Sequence, residues 1–125
     1  MIFGIGTDII EIARIKHAVK NEHFIERVYT LNERKYCESR GQQAAASYAA
    51  RFAGKEAFFK ALGTGINCSL TCVEILNDNL GRPYLNLSGH AERLINDINV
   101  TNIKISLSHS QTYAIATCII ENNKT

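Results

Sequence analysis

The stretch Tyr48-Ala-Ala-Arg51-Phe-Ala-Gly-Lys55-Glu56-Ala-Phe-Phe-Lys60-Ala-Leu-Gly63-Thr64-Gly65 decides how the rest of the chain is read. From Gln42 to Leu62 there is no proline and alanine is dense, which predicts one long helix. Gly63 supplies its C-terminal stop. At roughly 100° per residue the helix divides unevenly. Ala46, Ala50, Ala53, Gly54, Ala57 and Ala61 form a face with almost no side chain, and Tyr48, Phe52 and Phe59 form an aromatic one. Arg51 and Lys55 fall beside the aromatics, with Glu56 and Lys60 on their far side. A surface helix carries one apolar stripe and one broad polar face. This pattern instead predicts a largely surrounded central helix whose charges point into a cleft. Two plainer readings compete with it: Glu56 and Lys60, spaced i,i+4, as a helix ion pair, and Arg51 and Lys55 as snorkelling side chains.

The composition describes one globular domain of 125 residues, 46% hydrophobic and 21% charged. A chain of this length buries roughly two-thirds of its unfolded surface. The longest apolar run, Tyr113 to Ile120, is too short to span a bilayer. The N-terminus lacks the basic start and cleavage pattern of a signal peptide, so the cytoplasm is expected. Cys37, Cys68, Cys72 and Cys118 form no C-x-x-C pair, and no histidine stands at zinc spacing. They read as reduced structural thiols. Residues 1–60 hold ten Lys/Arg against seven Asp/Glu, and residues 61–125 hold four against five. That excess is too small for a nucleic-acid binder; it suits a smaller anion, or an acidic protein on the N-terminal half.

Ahead of the central helix, Ile2 to Ile9 reads as a strand with Asp8 at its end, and a cap on the following helix is the competing reading of Asp8. Gly4 and Gly6 share its face; without a third glycine they make no dinucleotide fingerprint and instead allow close backbone approach by another element. Helices are predicted over Glu11–Val19 and Glu22–Tyr29, and Thr30-Leu-Asn-Glu33 is a capping box opening a third. After the central helix come a strand at Leu70–Leu76, a turn cluster at 77–81 and an edge strand at Pro83–Leu87. A helix with a serine cap follows at Ser88–Asn96, and strands at Ile103–Leu107 and Tyr113–Ile120 form a hairpin around Ser110-Gln111. The fold class is α+β, an antiparallel-rich sheet packed around a long central helix.

Asp8 and Glu56 each end or interrupt an apolar element, with Arg51, Lys55 and Lys60 around Glu56. Carboxylates among cations suit a hard cation shared with phosphate oxygens, the basic residues carrying the remaining phosphate charge. Gly4-Ile-Gly-Thr-Asp-Ile-Ile-Glu-Ile-Ala-Arg-Ile15 and Arg51-Phe-Ala-Gly-Lys-Glu-Ala-Phe-Phe-Lys-Ala-Leu-Gly-Thr-Gly65 resemble the two signature stretches of the holo-acyl-carrier-protein synthases, the short 4′-phosphopantetheinyl transferases. Phe24–Glu33, Asn77–Pro83 and Ile105-Ser-Leu-Ser-His-Ser-Gln-Thr-Tyr-Ala114, with its Ser-Leu-Ser-His109 core, resemble further family segments, in order and at matching separations. Gly54 stands where the family usually has alanine, and His23 where a fixed positive charge is common.

The resemblance implies that coenzyme A donates its phosphopantetheine arm to a serine hydroxyl of apo acyl carrier protein, leaving adenosine 3′,5′-bisphosphate. It implies that Asp8 and Glu56 hold Mg²⁺ on the pyrophosphate. Lys60, Lys55 and Arg51 then bind phosphate groups, and the Gly63-Thr64-Gly65 turn lies against the 3′-phosphate. His109 stands close to the diphosphate. The residue that takes the serine proton stays open between His109, Glu56 and a water on the metal. Arg14 and Arg27 grip the acidic carrier protein. A homotrimer is implied, with three sites at its interfaces, and neither nucleic acid nor membrane is a partner. Two other readings stand beside this one. A coenzyme A or nucleotide-binding module without turnover would not need both carboxylates, and a structural assembly protein would show no ligand-dependent stabilisation.

Overall fold

A helix of 19 residues, α4 (Ala44–Leu62), forms where the alanine-rich stretch predicts it, and the other elements are laid round it. The structure is a computed structural model that describes residues 1–65 and 68–123. Gly63 caps α4 in the left-handed conformation (φ +81°), its amide bonded back to Phe59 and Lys60 carbonyls.

Before α4 come β1 (Ile2–Glu11), α1 (Ile12–Ala18), α2 (Glu22–Val28) and α3 (Leu31–Ser39). After it come β2 (Val73–Asn77), β3 (Pro83–Leu87), α5 (Gly89–Asp97), β4 (Val100–His109) and β5 (Tyr113–Asn122). Antiparallel pairing gives a three-stranded sheet in the order β1-β5-β4 and a separate β2-β3 hairpin. The architecture is α+β, as the periodicities imply.

Side-chain size fixes how β1 meets α4. A Cβ on Gly4 would coincide with the Ala61 carbonyl oxygen, and one on Gly6 with that of Ala57. The bare glycine backbone lies directly on the alanine face of the helix, the close approach that the G-x-G suggests. Gly54 does the same under Ile75, Ile105 and Leu107. Two apolar clusters share α4 as a wall. One gathers Ala53, Ala57, Phe58, Phe59 and Leu62 with Val73, Ala116 and Ile120. The other joins Tyr48, Ala49 and Ala50 to Ile15, Ile25, Val28 and Tyr29.

Several details differ from expectation, among them β4 and β5, which extend to Val100–His109 and Tyr113–Asn122. β1 does not end at Asp8 but runs to Glu11, because β5 offers partners as far as Tyr113 opposite Glu11. Asp8 therefore caps nothing, and Glu11 is the N-cap of α1. Residues Leu70–Cys72 form a 3₁₀ turn, so that strand starts only at Val73. Ser88 stands at the N-cap of α5, but its side chain makes no capping bond. The Thr30–Glu33 capping box is complete.

Candidate active site

The inward face of β1 delivers Asp8 to α4. Gly6 lets the strand settle onto the helix, so Asp8, two residues on, meets the helix face that carries Glu56 and Lys60. Lys60 Nζ donates to Asp8 Oδ1 at 3.0 Å and to the Thr7 carbonyl at 3.0 Å. The Lys60 side chain stays 55% exposed while that of Asp8 is 17% exposed. The i,i+4 reading is corrected here: Lys60 reaches the strand across from it, and its ion pair is with Asp8, not Glu56. Glu56 is half-buried. Burial and then the Asp8 carboxylate push its carboxyl above its ordinary value, and Lys60 pulls the other way. Two carboxylates thus share one cation, and the charge on Glu56 is under-compensated.

Among the described residues no group of three or more His, Cys, Asp or Glu is placed to hold a metal. A pair of carboxylates fits a hard divalent cation that takes its remaining ligands from water and phosphate oxygens. Gly63, Thr64 and Gly65 follow Lys60 at the exposed end of α4. Asp8, Glu56 and Lys60 form one face, and the turn follows it in the chain.

Arg51 and Lys55 are not on it, and their expected phosphate-binding role is corrected. Lys55 is fully buried; its Nζ donates to Glu33 Oε1 at 2.7 Å and to the Leu70 carbonyl at 3.0 Å. Burial lowers its pKa, against the pull of Glu33. Arg51 is buried as well. Its guanidinium stacks on Tyr36, 4.3 Å from the ring centroid, and donates to Asn77 Oδ1 at 2.5 Å. A helical wheel orients a side chain but does not say what stands opposite it. Opposite these two stand α3 and β2.

His109 is exposed at the end of β4, its Nδ1 3.2 Å from the Ser110 carbonyl oxygen. Through the register it faces Ala114, which faces Ile10. It therefore lies two strand spacings, roughly 10 Å, from β1 and two positions beyond the level of Asp8. It lines a cleft of about 760 Å³ with Ile12, Lys16, Gln42, Gln43 and Ala46. Neither Asp8 nor Glu56 lines that cleft, and Ala46 is ten residues, or about 15 Å, from Glu56 along α4. Within one chain the histidine and the carboxylates are separate.

A third surface feature is a cleft of about 780 Å³ lined by His23, Phe24, Arg27, Phe52, Ser69 and Leu70 among others. Arg27 is exposed on it, and Arg14 is exposed on α1. Glu33 is the residue the sequence reading missed. The T-x-x-E spacing marks it as a cap, and nothing local marks it as a buried carboxylate.

The family model of the 4′-phosphopantetheinyl transferase superfamily matches residues 4–118. A holo-[acyl-carrier-protein] synthase of Ruminiclostridium cellulolyticum is 51% identical over 93% of this chain and 90% of its own. The crystal structure of a holo-(acyl-carrier-protein) synthase from Bacillus anthracis, in complex with CoA (3′,5′-ADP), is 37% identical, with a TM-score of 0.81 over 98% of this chain and 99% of that one. The Neisseria meningitidis synthase is 32% identical, with a TM-score of 0.88 over 98% and 100%. The chain belongs to the 4′-phosphopantetheinyl transferase superfamily, and within it to the holo-acyl-carrier-protein synthases.

Proposed function

We propose that the 125-residue chain acts as one transferase domain that moves phosphopantetheine from coenzyme A to a serine hydroxyl of apo acyl carrier protein, at a Mg²⁺-dependent site. The observation that carries the site assignment is the face built by Asp8, Glu56 and Lys60. Phosphoryl transfer asks a protein mainly for positioning and charge stabilisation. Asp8 and Glu56 would hold the cation, which when bound supplies Lewis-acid stabilisation of the charge on the transferring phosphate. Lys60, already paired to Asp8 and largely exposed, is free to swing onto a phosphate oxygen. The exposed glycine turn offers backbone to the nucleotide phosphate, a reading that stops at Gly65, since residues 66 and 67 lie outside the described ones.

The separation of His109 from the carboxylates supports a site shared between copies of the chain. A second copy that set its His109 cleft against the Asp8–Glu56 face would bring the two halves together. The outer face of the three-stranded sheet suits such association. It exposes Phe3, Ile5, Ile9, Tyr113 and Ile115, with Ile9 directly opposite Ile115, a patch of the kind that marks an interface. We take the assembly to be a homotrimer in the cytoplasm that supplies holo acyl carrier protein for fatty acid synthesis. Exposed Arg14 and Arg27 then meet the acidic carrier protein, and His109 serves at the diphosphate.

The test is kinetic. Asp8→Asn and Glu56→Gln should each lower kcat by about 100-fold or more, as loss of a cation worth several kcal/mol requires. EDTA should abolish wild-type turnover. Full activity in either variant would remove the two-carboxylate site.

A further inference from the structure

Glu33 and Lys55 are both fully buried, and their pair does more than cancel two charges. Glu33 Oε1 accepts from the Thr30 amide at 2.9 Å and from Lys55 Nζ at 2.7 Å, while Oε2 accepts from the Ile75 amide at 2.9 Å. One carboxylate thereby joins the start of α3, the middle of α4 and the strand β2. Lys55 spends its second hydrogen bond on the Leu70 carbonyl. Leu70 and its neighbour Ser69 form one wall of the cleft that also holds Phe52. Ser69 Oγ in turn donates to the carbonyl of Arg27, another lining residue, at 3.0 Å. Arg51, one helical turn before Lys55, repeats the pattern through Asn77 and Tyr36.

Lys55 immediately precedes Glu56, so the two side chains leave α4 about 100° apart. Lys55 points to α3 and β2 while Glu56 borders Asp8. Whatever fixes Lys55 fixes the rotation of the helix, and with it the Glu56 carboxylate. At a side-chain radius of about 6 Å, a 20° turn of α4 displaces that carboxylate by about 2 Å. The glycine and alanine contacts with β1 set how close the helix lies, and the one polar tie to that strand, Lys60 to Asp8 and the Thr7 carbonyl, runs through a long, largely exposed side chain. A buried ion pair is also a weak source of stability, since apolar residues of equal volume often serve as well. What apolar residues cannot do is bond the Leu70 carbonyl and the Ile75 amide at once.

We propose that Glu33 and Lys55 are positioning residues of the transfer reaction: their buried pair sets the rotation of α4 that brings Glu56 to Asp8 and holds the Leu70 wall of the adjoining cleft, without touching substrate. This rests on the reading of Asp8 and Glu56 as the reacting centre. It replaces the phosphate-ligand role that the sequence suggests for Lys55.

The experiment compares wild type with Lys55→Met and Glu33→Gln in the full chain, with apo acyl carrier protein and coenzyme A. The folded fraction of each is checked by circular dichroism at the assay temperature. Misplacing a reacting group by an ångström or two costs about 100-fold in rate. Both variants should therefore lose at least tenfold in kcat, with KM for coenzyme A within threefold of wild type. Hydrogen exchange should quicken in the segment 68–76 and stay unchanged in β1 and β5. Should Lys55→Met not fold, Glu33→Gln decides the matter, since it keeps the shape and an acceptor oxygen. A rise in KM for coenzyme A with kcat intact would make Lys55 a ligand and overturn the proposal. Wild-type kcat in folded variants would leave the pair purely structural and overturn it equally. Absence of transfer by the wild type itself would instead bring down the underlying reading of the reaction.

Discussion

Glu56 borders Asp8 on a half-buried face, and one lysine serves them both. Its carboxyl pKa in the fold is raised above the ordinary 4.5, first by burial and then by Asp8. The fold thus holds the Glu56 proton more tightly than the unfolded chain does. Its contribution to stability is complete below pH 4.5 and is lost as the pH climbs through the raised value. In EDTA at pH 7, Glu56→Gln should therefore melt higher than wild type. The gap should close as the pH falls below 4.5, and differential scanning calorimetry across pH reads both. Mg²⁺ should raise the wild-type Tm and leave Glu56→Gln nearly unmoved. A variant that melts lower than wild type at pH 7 without metal would deny the under-compensated charge. Asp8 and Glu56 stand out in the sequence because each ends or interrupts an apolar element, whereas the i,i+4 spacing of Lys60 points to Glu56 and the structure pairs it with Asp8. Lys55 and Arg51 break the pattern in the same way, yet they answer to Glu33 and Asn77, 22 and 26 residues distant. Local spacing cannot separate a charge aimed at a ligand from one aimed at a buried partner.

The contact between β1 and α4 sets the site at the scale of elements, and its two kinds of glycine should respond differently to a methyl group. A Cβ at Gly6 meets helix backbone, the Ala57 carbonyl and the Ala61 nitrogen, the latter at 2.6 Å. Backbone cannot step aside without moving the helix. Gly6→Ala should cost about 3 kcal/mol or more, at the upper end for overpacking. At Gly54 the obstacles are methyl ends, Ile75 Cδ1 at 2.6 Å with Ile105 Cδ1 and Leu107 Cδ2 at 3.1 Å. Those can turn, and alanine gains about 1 kcal/mol of helix propensity over glycine. Gly54→Ala should therefore fall within about 1 kcal/mol of wild type by urea denaturation. Equal costs at the two positions would refute this packing account. The G-x-G and the alanine face, 51 residues apart at Gly6 and Ala57 and 57 at Gly4 and Ala61, predict each other because each lacks side chains where the other needs room. The end of β1 was not legible in the same way. A polar Asp8 looks like a strand end, and only the length of β5 shows that pairing continues to Glu11.

Over the whole molecule, two features support the proposal that copies of the chain share a site. The outer sheet face leaves Ile5 63% and Ile9 60% exposed, and His109 stands apart from the carboxylates. Ile9→Glu should shift the species seen by sedimentation equilibrium toward monomer and lower turnover per chain at least tenfold. If the site is shared, Glu56→Gln and His109→Ala chains refolded together should regain activity that neither shows alone. A fully active monomer would end the shared-site reading. Nothing in the periodicity of β1 or β5 distinguishes an outer face that meets solvent from one that meets another copy. The apolar alternation is the same in both cases.

The central claim is that this fold carries a phosphopantetheine group from coenzyme A to a carrier protein through the Asp8–Glu56 face. Intact-mass spectrometry of apo acyl carrier protein, incubated with the chain, coenzyme A and Mg²⁺, tests it most directly. The account predicts a gain of one phosphopantetheine arm on the carrier protein, absent with EDTA and absent with Glu56→Gln. No gain from a preparation that binds coenzyme A, or a gain that survives both EDTA and Glu56→Gln, would contradict it.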